Sequence, residues 1–123
     1  MKYIKSKKIF ESSEVVDTVK DICLELEDDG LNVEHFTESS LIKGSNLLLN
    51  YNVIYISSTN WVKGKETFKY SVVEEVIERL KEYLGDRIHS MKARRGLANN
   101  PMVDIGRLTN RDNIFCIVIN YEP

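Results

Sequence analysis

The chain has 123 residues, 42% of them hydrophobic and 29% charged, with a net charge of −2. That length and balance read as one soluble globular domain, large enough for a single core without staples. The longest apolar run is far short of the ~20 residues a membrane span needs, so no membrane partner is expected. No apolar stretch follows the basic opening Met1–Lys5, so a secretory signal is not expected either.

The two cysteines, Cys23 and Cys116, both fall in apolar stretches. They read as buried thiols in a reducing cytoplasm rather than as a disulfide framework. Charge is unevenly spread. Residues 1–8 hold four lysines and no acid, residues 9–40 ten acids and one lysine, and residues 86–112 six basic and three acidic groups. A surface divided in this way suits a charged partner, or self-association in which opposite faces meet.

Residues 1–8 form a basic lead that can be flexible, and a short strand can form at Lys7–Phe10. A helix is predicted from Ser13 to Asp29, closing at Gly30, with Val15, Val19, Ile22 and Leu26 on one face and Val16 and Cys23 widening it. Strands follow at Leu31–Phe36 and, entered through Gly44-Ser45, at Asn46–Ser57. Ser71 to Leu84 reads as a second helix with Val73, Val76, Ile77, Leu80 and Leu84 inward and Gly85 at its end. Ser71 and Glu74 have the spacing of a capping box. Arg87–Ala93 alternates as a half-exposed strand. Asn113–Tyr121 is apolar on both faces, as a central, doubly covered strand would be.

The expected fold is therefore α+β, in one domain over 1–123. It is a two-layer sandwich with two helices on one face of a mainly antiparallel four- to five-stranded sheet, in the order (β)αββαββ. Val15, Val19, Ile22, Leu26, Val76, Leu80, Ile117 and Ile119 should be buried. Ser58–Lys69 and Gly96–Asp112 lack periodicity, and long irregular stretches in a small domain are commonly functional or disordered.

No recognisable nucleophile pattern, phosphate loop or dinucleotide fingerprint is present, so no catalytic residue, metal or cofactor is expected. His35-Phe36-Thr37 matches one H-x-T motif of the two-histidine phosphoesterases. That chemistry needs two such motifs, and His89-Ser90-Met91 lacks the second hydroxyl. A pair of half-exposed strand histidines is the plainer account. Glu27-Asp28-Asp29 puts three acids where a helix end favours cations, without the regular oxygen spacing of a calcium loop. Solvated acids, or contact with a basic partner, account for it better than a metal does.

The stronger candidates are two basic stretches. Trp61, Lys63, Lys65, Phe68 and Lys69 interleave aromatic and cationic side chains, and Lys92, Arg94, Arg95, Arg107 and Arg111 form a second patch. Stacking faces beside cations suit single-stranded nucleic acid or a phosphate backbone. Alternatively, Trp61 and Phe68 cover a sheet edge while the lysines stay solvated. In a structural role the same loops would face the acidic helix surface of a neighbouring copy, at Asp21, Glu25 and Asp28.

Met1-Lys2-Tyr3-Ile4-Lys5 and Lys8-Ile9-Phe10-Glu11-Ser12 resemble the openings of small tailed-bacteriophage proteins that have no assigned activity. The stretches from Asp21 to Leu31 and from Val76 to Leu84 resemble the same group. Together these pieces cover about half of the chain. The element order, ending in Tyr121-Glu122, is also similar to that of phage tail-terminator proteins, although the basic first eight residues are not required there. The resemblance implies a non-catalytic structural or interaction protein, with a connector or ring subunit as its specific form, in the host cytoplasm or the virion. Its partners would be other phage proteins or further copies of itself. A nucleic-acid-binding accessory protein using loops 58–70 and 92–111 is the alternative.

Overall fold

The computed structural model describes the backbone of residues 2–41, 48–58, 67–96 and 100–122, with side chains from residue 14 onward except at 40–49, 59–66 and 97–99. Helix α1 (Lys2–Asp28) leads into strands β1 (Leu31–Leu41) and β2 (Leu48–Ser58). A two-residue strand β3 (Phe68–Lys69) precedes helix α2 (Tyr70–Leu84), followed by β4 (Ile88–Arg95), β5 (Met102–Asp104) and β6 (Asn113–Tyr121). All pairings are antiparallel, in the order β1-β2-β6-β4-β5, and β3 extends the β2 side of β6. The fold is α+β, as expected, and the sheet is open.

Both helices cover one face. Val19, Cys23 and Leu26 of α1 join Val73, Val76, Ile77, Leu80 and Leu84 of α2 in a single core. From the sheet, Leu31, Val33, Ile54, Ile56, Met91, Ala93, Ile117 and Ile119 meet them. Side chains alternate across a strand. The register therefore leaves Glu34, Phe36, Glu38, Tyr55, Lys92, Arg94 and Val118 on the face turned away from the helices. Strand β6 runs through the middle, with Cys116 buried on that second face opposite Ser57 and Arg94.

Several expectations need correction. No strand forms at Lys7–Phe10; helix α1 runs through those residues and starts at Lys2 rather than Ser13. Val15 and Ile22 are half-buried at the rim of the core, whereas Val19, Leu26, Val76, Leu80, Ile117 and Ile119 are inside it. Strand β1 continues past Phe36 to Leu41 because it stays in unbroken register with β2, from Leu31 opposite Ser58 to Leu41 opposite Leu48. The expected loop Gly96–Asp112 holds β5 and a 3-10 turn at Ile105–Arg107. The capping box does not form. Helix α2 begins one residue earlier, and carbonyls of Asn110 and Asp112 accept the N–H groups of Ser71 and Tyr70 at 3.2 and 3.0 Å. Backbone from the turn before β6 thus does what a capping side chain does elsewhere. At the other end, Gly85 takes φ 52° and ψ −122°, a conformation only glycine adopts readily, and its N–H donates to the Lys81 carbonyl.

Candidate functional site

The ten residues singled out in the two basic stretches do not share one location. Trp61, Lys63 and Lys65 lie outside the described residues. Phe68 is 7% exposed and belongs to the core, where β3 pairs it with Ile114. Its ring has no free face for a base. Lys69 is exposed, and its Nζ donates to the Arg111 carbonyl at 3.2 Å.

Lys92 and Arg94 stand on the open face of β4, with Lys92 opposite Asp104 of β5. A bulge between Arg94 and Arg95 places Arg95 within 4.0 Å of Asp112. Arg107 closes the 3-10 turn, and Arg111 lies in the turn before β6. The structure therefore places Lys92, Arg94 and Arg95 along β4 and Arg107 in the turn after β5, while Arg111 lies before β6 beside Lys69 of β3.

The β1 side of the sheet is acidic. Strand β1 is an edge strand bearing Glu34 and Glu38 on the open face, and it contains no lysine, arginine or proline. Tyr51 donates to Glu38 Oε2 at 2.9 Å. Above that side, Glu14, Asp17, Asp21, Glu25 and Asp28 follow one another at three- and four-residue steps along the exposed surface of α1. Glu25 also pairs with Arg79 of α2 at 2.7 Å, so one of the three acids assigned to a neighbouring copy already has a partner within the chain.

Between acidic and basic sides, Tyr55 sits on β2 near Cys116, Arg94 and Glu34. Burial, reinforced by the neighbouring Cys116 thiol, pushes its phenol up to about 12, so it stays protonated.

The two histidines do not converge. His35 is on β1 and His89 on β4, with β2 and β6 between them, a separation of roughly 14 Å at the usual strand spacing. His89 Nε2 lies 3.6 Å from Glu122. His35 instead lines a cleft of about 80 Å³ beneath α1, with Val16, Lys20, Thr37, Asn52 and Tyr121 among its walls. Burial, and then the nearby Lys20, lower the imidazole below its ordinary value, while Glu27 acts in the opposite sense.

Sequence reasoning missed this cleft because it depends on register: Thr37 faces Asn52 only once β1 and β2 are aligned. The acidic edge was more accessible, since Asn32, Glu34, Phe36 and Glu38 occupy alternate positions that one face of a strand would share. Among the described residues, no group of three or more His, Cys, Asp or Glu side chains could hold a metal ion, and no helix is long and apolar enough to cross a membrane. No family model, no curated protein and no solved structure matches this chain.

Proposed function

We propose that the protein is a non-catalytic structural subunit of a tailed phage that joins copies of itself head to tail, in the manner of a connector or tail-terminator ring. The observation that carries this reading is the asymmetry of charge across the sheet, between edge strand β1 and the surface of β4. Strand β1 offers an eleven-residue edge whose register with β2 has no bulge. Natural sheets commonly guard such edges with lysine, proline or bulges, because an unguarded edge is a template for another strand. Strand β1 has no lysine, proline or bulge and its charges, Glu34 and Glu38, are acidic, while β4 and the turn after β5 carry Lys92, Arg94, Arg95 and Arg107.

Charge favours the acidic β1 edge meeting the basic surface of β4 and the turn after β5 over two acidic edges meeting. A two-fold pairing of β1 with itself centred on Phe36 would set Glu34 directly opposite Glu38 of the other copy, and like charges in that position are unfavourable. Contact between unlike surfaces produces rings when the rotation closes and filaments when it does not. The phage assignment rests on the sequence resemblance, and the ring on this charge asymmetry.

Light scattering on the purified protein, with and without single-stranded DNA, tests the reading. A ring-sized species without DNA supports it. A monomer at every concentration overturns it, and a salt-sensitive DNA complex formed by that monomer would favour the accessory role instead. Glu34→Lys with Glu38→Lys, and separately Arg94→Glu with Arg95→Glu, should each abolish assembly. Mixing the two variants should restore it, because each then offers the other a surface of opposite charge.

A further inference from the structure

The cleft beneath α1 has a feature that the proposed assembly does not use. Asn52 is 7% exposed, and its side-chain oxygen accepts a hydrogen bond from Thr37 Oγ1 at 3.1 Å. In this orientation of the amide, Nδ2 is buried with no partner. His35 Nδ1, on the neighbouring strand and the same face, is also buried and unpaired. Unpaired buried polar atoms are uncommon, and each one calls for a physical cause. Two of them line the same cleft.

The third polar group is Lys20, the one basic residue among Glu14–Asp28, and it lines this cleft together with Val16 one helical turn before it. Asn52, His35 and Lys20 thus border one space of about 80 Å³. About 10–15 Å³ of such space is enough to admit one water, so this cleft has room for several waters or one small polyatomic group.

We propose that the cleft is a binding site for a carboxylate group, with Lys20 supplying the charge, Asn52 Nδ2 one donor and His35 Nδ1 a second donor in the tautomer that carries its hydrogen there. A carboxylate fits better than a phosphate. It brings a single negative charge to match a single cation, and its two oxygens match two buried donors. A phosphate dianion would meet the acidic surface of α1 with only one ammonium to balance it. The apolar walls, Val16 and the ring of Tyr121, suit the carbon side of such a group.

The test uses the full chain and three probes: acetate, its neutral isostere acetamide, and inorganic phosphate, followed by NMR of the Asn52 side-chain amide and the His35 ring. Acetate should produce a saturable shift at both groups that acetamide does not reproduce, with phosphate binding more weakly. In Lys20→Met, an exchange at an exposed position that leaves the core untouched, acetate affinity should fall about tenfold, the scale of one charge-assisted hydrogen bond. Absence of a saturable acetate shift, equal responses to acetate and acetamide, or unchanged affinity in Lys20→Met would each overturn the proposal. Tighter binding of phosphate than of acetate would overturn the assignment to carboxylates. Assembly state is read separately, so loss of the ring would not imply loss of this site.

Discussion

The backbone N–H of Tyr70 donates to the carbonyl of Asp112 at 3.0 Å, fastening the first turn of α2 to the start of the central strand. Beside it the Asp112 carboxylate accepts from the Thr109 N–H at 2.7 Å and holds the turn that presents the carbonyl. Asp112→Ala should therefore loosen the turn as well as remove the partner of Arg95. The expected cost is about 1–2 kcal/mol, the range for losing a capping interaction. Urea denaturation of the variant checks this, and a change below a few tenths would show that the turn holds without its carboxylate.

Core truncations should separate the two helices. Leu80 is fully buried, so Leu80→Ala should cost about 2–5 kcal/mol. Ile22 is half-buried at the rim, where the cavity left by truncation opens to water, and Ile22→Ala should cost less than about 2 kcal/mol. Equal losses measured by chemical denaturation would mean that α1 sits deeper on the sheet than described.

Gly85 provides a backbone test. A Cβ there would meet nothing within 4 Å, so any penalty comes from the dihedral angles alone. Gly85→Ala should lower stability by about 1–3 kcal/mol, which thermal unfolding would register.

The lowered pKa of His35 has a defined sign. An unfolded chain takes up the proton near 6.5, whereas the folded protein resists it until lower pH. The unfolded state thus binds more protons in that window, and stability falls as pH drops from about 6.5 through the folded value. His35→Gln should flatten that part of the stability-versus-pH curve relative to the wild type. A curve unchanged by the substitution would show that His35 is not the group responsible.

The thiols should be inert in the folded protein. Cys23 is 1% exposed and Cys116 2%. Burial, then Glu27, pushes the Cys23 thiol up to about 12 against the opposing pull of Arg79. Neither should react with a thiol reagent near pH 8 until the chain is unfolded, because both sulfurs are buried and Cys23 also stays out of its reactive thiolate form. Prompt labelling of either one under native conditions would contradict the packing around it.

Some of this fold was legible before the structure. Asn113–Tyr121 was bounded correctly because a continuous apolar run has few other uses in a soluble domain. Val73, Val76, Ile77, Leu80 and Leu84 were placed inward by helical spacing alone. The failures have physical causes. Lys2–Ser12 shows no apolar stripe from which a helix start could be read. Met102–Asp104 is too short for a period of two to register. Phe68, set among lysines, reads as a surface aromatic, and only its pairing with Ile114 shows that it is core. Ser71 and Glu74 had the spacing of a cap, but carbonyls forty residues along the chain reached the helix first. The candidate site suffered most, since the charge asymmetry and the cleft both depend on strand order and register.

The position of β6 between β2 and β4 also governs when the molecule can come together. During synthesis, the β1–β2 hairpin and the α2–β4 unit emerge with no strand to join them, each presenting apolar Ile54 and Ile56 or Met91 and Ala93 to the surroundings. Only when Asn113–Tyr121 has left the ribosome can the sheet close over the helices. Until then each nascent chain has an unfilled gap that β6 from an adjacent chain could enter. Translation of closely spaced copies would therefore favour exchanged strands unless the gap is shielded. A ribosome slowed before the codons of β6 would lengthen that exposure without altering a single contact of the finished protein.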